Sequence, residues 1–126
     1  MEKVLLSIVL VLAIIYIVPF LVYGLGSVVA GLKTPAGVSP ARFLIGVFVS
    51  KTGTALAFVL IFYVARSSLS GQWLLYALIW WLMFVFGEIG QTFGPDYSWR
   101  DAVAGVISET IYLPISAWLV DWLIIM

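Results

Sequence analysis

Apolar positions in this chain come in long blocks separated by short polar punctuation, without the period of a half-buried helix or strand. The first block begins at Val4 and continues to about Tyr23, close to the roughly 20 residues that cross a hydrocarbon layer as a helix. It is too long for a signal peptide, and no small-residue cleavage site follows it, so a retained helix is predicted. Pro19 removes one backbone donor inside the block and predicts a kink whose freed carbonyl is covered by neighbouring helices. Gly24-Leu25-Gly26-Ser27 either extends this helix towards Leu32 or opens a loop. Lys33 to Pro40, with Thr34, Pro35, Gly37 and Ser39, has the chemistry of a loop, and Ser39-Pro40 suits a helix start.

A second span is predicted over 42–65, flanked by Arg42 and Arg66, whose side chains can reach head groups. The polar connection Ser67 to Gly71 is short enough to turn the next span back as a hairpin. That third span, 72–93, is rich in aromatics, with Trp73, Tyr76, Trp80, Trp81, Phe84 and Phe86: Trp73 and Tyr76 suit the interfacial belt, and Trp80 and Trp81 sit deeper. Gly94-Pro95-Asp96-Tyr97-Ser98 predicts a tight turn. A fourth span follows from about Trp99 or Asp101 to Ile125, 101–125 in its narrower form, with Pro114 in its middle. The expected fold class is all-α: a polytopic membrane protein with four transmembrane helices in an antiparallel bundle, a single domain over residues 1–126 with both termini on one side. Lys3 and Arg66 on the terminal side against Lys33, Arg42 and Arg100 on the other do not orient it.

Composition agrees with that pattern and narrows the chemistry. Of 126 residues 64% are hydrophobic and 10% charged, and the mean hydropathy of +1.20 is that of a membrane protein. Six basic residues balance six acidic ones, so the positive field that holds nucleic acid is missing, as is a polybasic tract for lipid head groups. Without cysteine or histidine there is no thiolate chemistry, no usual haem or zinc ligand and no imidazole base. No metal and no cofactor are expected. Four spans leave no room for a soluble catalytic domain, and the HExxH, GxSxG and Asp-rich motifs are absent, which makes a membrane enzyme acting on an apolar or lipid substrate the third reading. The aromatic residues of the third span could stack a flat head group, but such residues more often pack against lipid or protein.

A faint internal repeat adds a second level of order. Shifting the second span by 58 positions onto the fourth aligns Arg42 with Arg100, Ser50 with Ser108, Thr52 with Thr110, and Lys51 with Glu109. A tandem pair of two-helix units in one orientation would relate the halves by an axis along the membrane normal. Lys51 and Glu109 would then face each other at one depth, each nine residues, or roughly 13 Å, beyond its arginine.

The candidate chemistry lies in the polar residues within the spans. A charge near the centre of a membrane helix costs about 2.5–3.5 kcal/mol, so Lys51, Glu88 and Glu109 are expected to face protein or water. Ala102, Gly105, Glu109, Tyr112 and Ser116 form one inward stripe of the fourth span; Gly46, Ser50, Thr54 and Ala57 form a small-residue stripe on the second. One lysine cannot neutralise two carboxylates in the same layer. The remaining charge is paired by Arg42 or Arg100, neutralised by a proton, or compensated by a cation with Ser50, Ser108, Thr52, Thr110 and Gln91 as neutral donors. Bland alternatives stand beside this: Lys51 snorkelling to the head groups, and a Lys51–Glu109 salt bridge that only sets register. Asp121, between Trp118 and Trp122, has the expected role of a plain interfacial residue.

The leading expectation is an ion or small-solute channel or transporter that completes its pathway as a homo-oligomer, a dimer or larger, within the lipid bilayer. The alternative is a non-catalytic helical subunit or assembly factor with a membrane-protein partner.

Overall fold

The computed structural model describes residues 2–29, 40–95 and 97–125. These form helices α1 (Glu2–Val29), α2 (Pro40–Val64), α3 (Arg66–Leu69), α4 (Trp73–Gln91) and α5 (Trp99–Ile125), with no strand among the described residues. Within those residues, α1, α2, α4 and α5 are long and apolar enough to cross a membrane. Helix α1 carries through Gly24 to Val29, and both α1 and α5 continue past their internal prolines, Pro19 and Pro114. The loop expected at 33–39 lies outside the described residues. Pro40 is the first residue of α2, where its missing N–H is no loss and its fixed φ already suits a helix.

Two local boundaries are set by contacts that the polar pattern leaves open. The polar connection after Ala65 contains the single-turn α3, in which the Ala65 carbonyl accepts the N–H groups of Ser68 and Leu69 at 2.9 and 3.0 Å. Leu69 is folded against the core, an apolar contact that polar composition alone did not signal. Helix α5 begins at Trp99, the earlier of the two starts open from sequence, because Ser98 and Asp101 cap it reciprocally: Asp101 Oδ2 accepts the Ser98 N–H at 3.1 Å, and Ser98 Oγ accepts the Asp101 N–H at 3.2 Å.

Helix α5 is the central element. Half of its span (50%) is buried, against 17% in α2 and α4. It packs against α1 on one side and α4 on the other, while α2 packs against α1. The core draws on the first halves of α1 and α4 (Val11, Ile15, Tyr76, Ala77) and the second halves of α2 and α5 (Phe58, Val59, Phe62, Leu113, Ala117, Val120). Well-packed apolar side chains therefore concentrate in one half of the molecule. The other half holds the groove described below.

Asp121 does more than face the interface. Its Oδ1 accepts the Gly71 N–H at 3.1 Å, which ties the turn before α4 to the end of α5, beside the stacked rings of Trp118 and Trp122. Gly71 has φ +74°, a backbone conformation in which an L side chain costs about 1–2 kcal/mol. Gly71→Ala is accordingly expected to lower stability by about 1–2 kcal/mol, read as a lower unfolding midpoint in detergent, although its added methyl meets open space.

Candidate functional site

The site begins with an aromatic wedge. The Phe58 ring of α2 lies 4.8 Å from Tyr76 and 5.4 Å from Trp80 of α4, Phe62 lies 5.2 Å from Tyr76, and the Tyr76 hydroxyl donates to the Phe58 carbonyl. These rings hold α2 and α4 together at that level while keeping their backbones apart. Further towards the start of α2 and the end of α4 the side chains shrink to Ser50, Thr54 and Gly87, and the interval is left unfilled. The result is a groove of about 250 Å³: α2 contributes Ser50, Lys51 and Thr54, α4 contributes Met83, Phe84, Gly87, Glu88 and Gln91, and α5 forms the floor with Glu109 and Tyr112.

This corrects the small-residue stripe read on the second span. Gly46 and Ser50 are exposed, a Cβ at Gly46 would meet nothing within 4 Å, and Thr54 lines the groove. The buried face of α2 is Ala55, Phe58, Val59 and Phe62. Bulky rings set the separation of the helices, so Ser50 and Thr54 line a gap, Gly46 is exposed, and of the stripe Ala57 is the residue packed against the core.

The inward stripe of α5 is buried throughout: Ala102, Gly105, Glu109, Tyr112 and Ser116. Glu109 is 5% exposed, and its Oε1 has no hydrogen-bond partner. The Glu88 carboxyl lies within hydrogen-bonding reach of Glu109 and is seated over Gly105, where an added Cβ would collide with it. Glycine at 105 is what lets the α4 carboxylate approach α5 so closely. The other Glu88 partner is the Tyr97 hydroxyl, which donates to its Oε2 and also reaches the Asp101 carbonyl at 3.3 Å.

Lys51 completes the cluster from α2. Its ammonium lies 5.2 Å from the centre of the Tyr112 ring, within the range of a cation–π contact. The carboxylates acting on it are Glu109 first and Glu88 second. No Lys51–carboxylate ion pair of 4.0 Å or less is present among the described residues. The amine is therefore held beside the acids without closing onto either.

Of the residues singled out from sequence, Lys51, Glu88, Glu109, Ser50, Tyr112 and Gln91 come together in the groove. Ser108, Thr52 and Thr110 do not line it. Their hydroxyls donate to carbonyls one turn back, Ala104 at 3.0 Å, Phe48 at 2.8 Å and Val106 at 2.7 Å, the local satisfaction that short hydroxyl side chains find in a helix. Thr110 also accepts the Trp81 indole N–H at 3.0 Å. The Trp80 ring is engaged by Phe58, Tyr76 and Phe84. Sequence reasoning missed Thr54 and Tyr97. Thr54 was read only as a small residue, although it follows Lys51 by three positions and so shares its face. Tyr97 was absorbed into a turn, and nothing local shows that the turn folds its phenol back onto α4.

Gly105→Ala tests the seating of Glu88. The obstructing atoms are the free end of a flexible side chain, so the expected change in stability stays within about 1 kcal/mol. Whatever activity depends on Glu88 is expected to fall as far as in Glu88→Gln, measured on the same preparations. Among the described residues no group of three or more Asp, Glu, His or Cys side chains could hold a metal ion. No protein-family model, curated protein or solved structure matches the chain.

Proposed function

We propose that the chain is a small membrane channel or transporter for a cation or a protonatable solute, with the Lys51–Glu88–Glu109 groove as its binding site. The observation that carries this reading is Glu109: a buried carboxylate with one unpartnered oxygen, lining a polar groove beside a second carboxylate. Two carboxylates in contact repel unless a proton or another cation lies between them, and one lysine beside them compensates only one charge. A membrane protein that keeps such a costly arrangement has a use for what fills it. Glu109 holds the cation or proton, Lys51 limits how tightly it is held, and Glu88 with Tyr97 stands nearer the end of α4.

The finer architecture belongs to the same proposal: an antiparallel four-helix bundle, both termini on one side, two tandem helix pairs and a homo-oligomeric assembly. Support for the repeat comes from the pairing of α1 with α2 and of α4 with α5 and from the matching back-bonds of Thr52 and Thr110. In such a repeat the α1–α5 contact has α2–α4 as its counterpart, and the groove occupies the place where that second contact stands open.

A second reading, a helical subunit or assembly factor of a larger membrane complex, is favoured by one observation. Gly46 and Gly53 lie on an exposed part of α2 with nothing within 4 Å of an added Cβ, a surface to which another helix can come close. Reconstitution separates the two. Purified protein in proteoliposomes is expected to carry protons or a monovalent cation down a gradient, and Glu109→Gln to stop it. A wild-type protein with no flux, co-purifying at fixed stoichiometry with an unrelated membrane protein, sinks the transport reading.

A further inference from the structure

Lys51 occupies the groove in a way that identifies the cargo. Its ammonium sits over the Tyr112 ring at 5.2 Å, with Glu109 as the stronger carboxylate influence and Glu88 the weaker, yet it forms no close ion pair with either. An aromatic face backed by carboxylates is a general receptor for organic ammonium groups. Here a tethered ammonium already rests on it. The Oε1 of the buried Glu109 has no hydrogen-bond partner, so its capacity to accept from an ammonium is unused.

The rest of the groove says what the ammonium is attached to. At about 250 Å³ the space equals roughly eight water molecules at ~30 Å³ each, far more than a bare ion fills. A hard divalent cation asks for six or more oxygen ligands, and here an ammonium and a ring take part of the shell. Beyond the polar floor the walls become apolar at Met83 and Phe84. Ser50, Gly87 and Gln91 are exposed and Met83 is 53% exposed, so the groove is open along the flank between α2 and α4. In a bilayer that flank faces acyl chains.

Resting on the transport reading above, we infer that the cargo is an amphipathic organic cation that enters from the bilayer between α2 and α4. Its ammonium displaces Lys51 from the Tyr112–Glu109 station, and its hydrocarbon part lies along Met83 and Phe84. Lys51 is then a built-in competitor that returns to the ring when the cargo leaves, so the acids are never left without a nearby positive charge. The exchange is non-covalent: one ammonium replaces another.

Direct binding tests this, by calorimetry on the full chain in zwitterionic nanodiscs with ethyl-, butyl- and octylammonium as probes and empty nanodiscs as the blank. Wild-type protein is expected to bind octylammonium at least about tenfold more tightly than ethylammonium, the gain expected when only a part of the six additional methylenes is buried. Lys51→Met, which removes the competitor and keeps the stem, is expected to tighten octylammonium binding by about tenfold; Glu109→Gln and Tyr112→Leu are expected to weaken it by about that factor. If Lys51→Met binds no better than wild type, or if affinity is indifferent to the tail, the inference is overturned. Glu109-dependent flux of protons or of a small inorganic cation, with no ammonium binding, overturns it while leaving the transport reading in place. Ammonium binding with the stated Lys51 and Glu109 dependence but no flux supports the site and removes transport. Should Tyr112→Leu fail to fold, Tyr112→Phe keeps the ring, and wild-type affinity there is the supporting result.

Discussion

Glu109→Gln is expected to reduce flux by about a hundredfold or more while making the protein harder to unfold. The first effect follows from chemistry: glutamine has the shape of glutamate but can neither exchange a proton nor attract a cation as a full charge, and a positioned group of this kind contributes about a hundredfold or more. The second follows from burial. Glu109 is 5% exposed, one of its oxygens has no partner, and the Glu88 carboxyl is within hydrogen-bonding reach. An unsatisfied buried polar group costs about 1–3 kcal/mol. An amide removes the charge and can donate to Glu88, so the unfolding midpoint in detergent should rise by an amount corresponding to about 1 kcal/mol or more. A residue selected only to set helix register would behave in the opposite way, since losing it would weaken the fold. A lower midpoint with unchanged flux would therefore place Glu109 in a structural role.

The largest loss of stability is expected from Phe58→Ala. Its ring is buried to 1% exposure and makes the α2 side of the wedge, 4.8 Å from Tyr76 and 5.4 Å from Trp80. Lipid is as apolar as a protein core, so the usual transfer gain largely drops out and what remains is lost packing. With ~100 Å³ of ring removed at about 24 cal/mol per Å³, the expected cost is about 2–2.5 kcal/mol. Leu56→Ala is the control: this residue of the same helix is 41% exposed and its truncation is expected to cost less than about 0.5 kcal/mol. Denaturant unfolding followed by tryptophan fluorescence measures both. Equal costs would mean that the wedge does not join α2 to α4.

Much of the fold was legible because its cause is local. A blocked apolar pattern and a scarcity of charge are sufficient for membrane-length helices, and the α5 stripe of Ala102, Gly105, Glu109, Tyr112 and Ser116 could be read from helical spacing alone. The prominence of Lys51, Glu88 and Glu109 was equally legible, because a charge within an apolar run stands out by its cost. What failed were inferences about how closely particular helices approach and which hydroxyls are left for a ligand, even though the meeting of Lys51, Glu88 and Glu109 was expected. Gly46, Ser50, Thr54 and Ala57 looked like a close-packing stripe because small residues allow approach; whether approach happens is decided by the rings of Phe58, Phe62, Tyr76 and Trp80 one level away. Ser108, Thr52 and Thr110 looked like oxygen donors by composition, yet helix geometry offers each hydroxyl its own carbonyl four residues back. Tyr97 was invisible as a ligand of Glu88 because that contact depends on how one turn folds across a helix end.

The amino-acid sequence by itself therefore determined a chain of membrane-length helices with three costly ionisable residues inside them, since hydrophobicity and helical period act over single segments. Tertiary structure alone decided that Lys51, Glu88 and Glu109 share one open groove, that Gly105 makes room for a carboxylate, and that an ammonium rests on Tyr112. Those outcomes depend on how bulky and small side chains balance between helices far apart along the chain, and no one segment carries that balance.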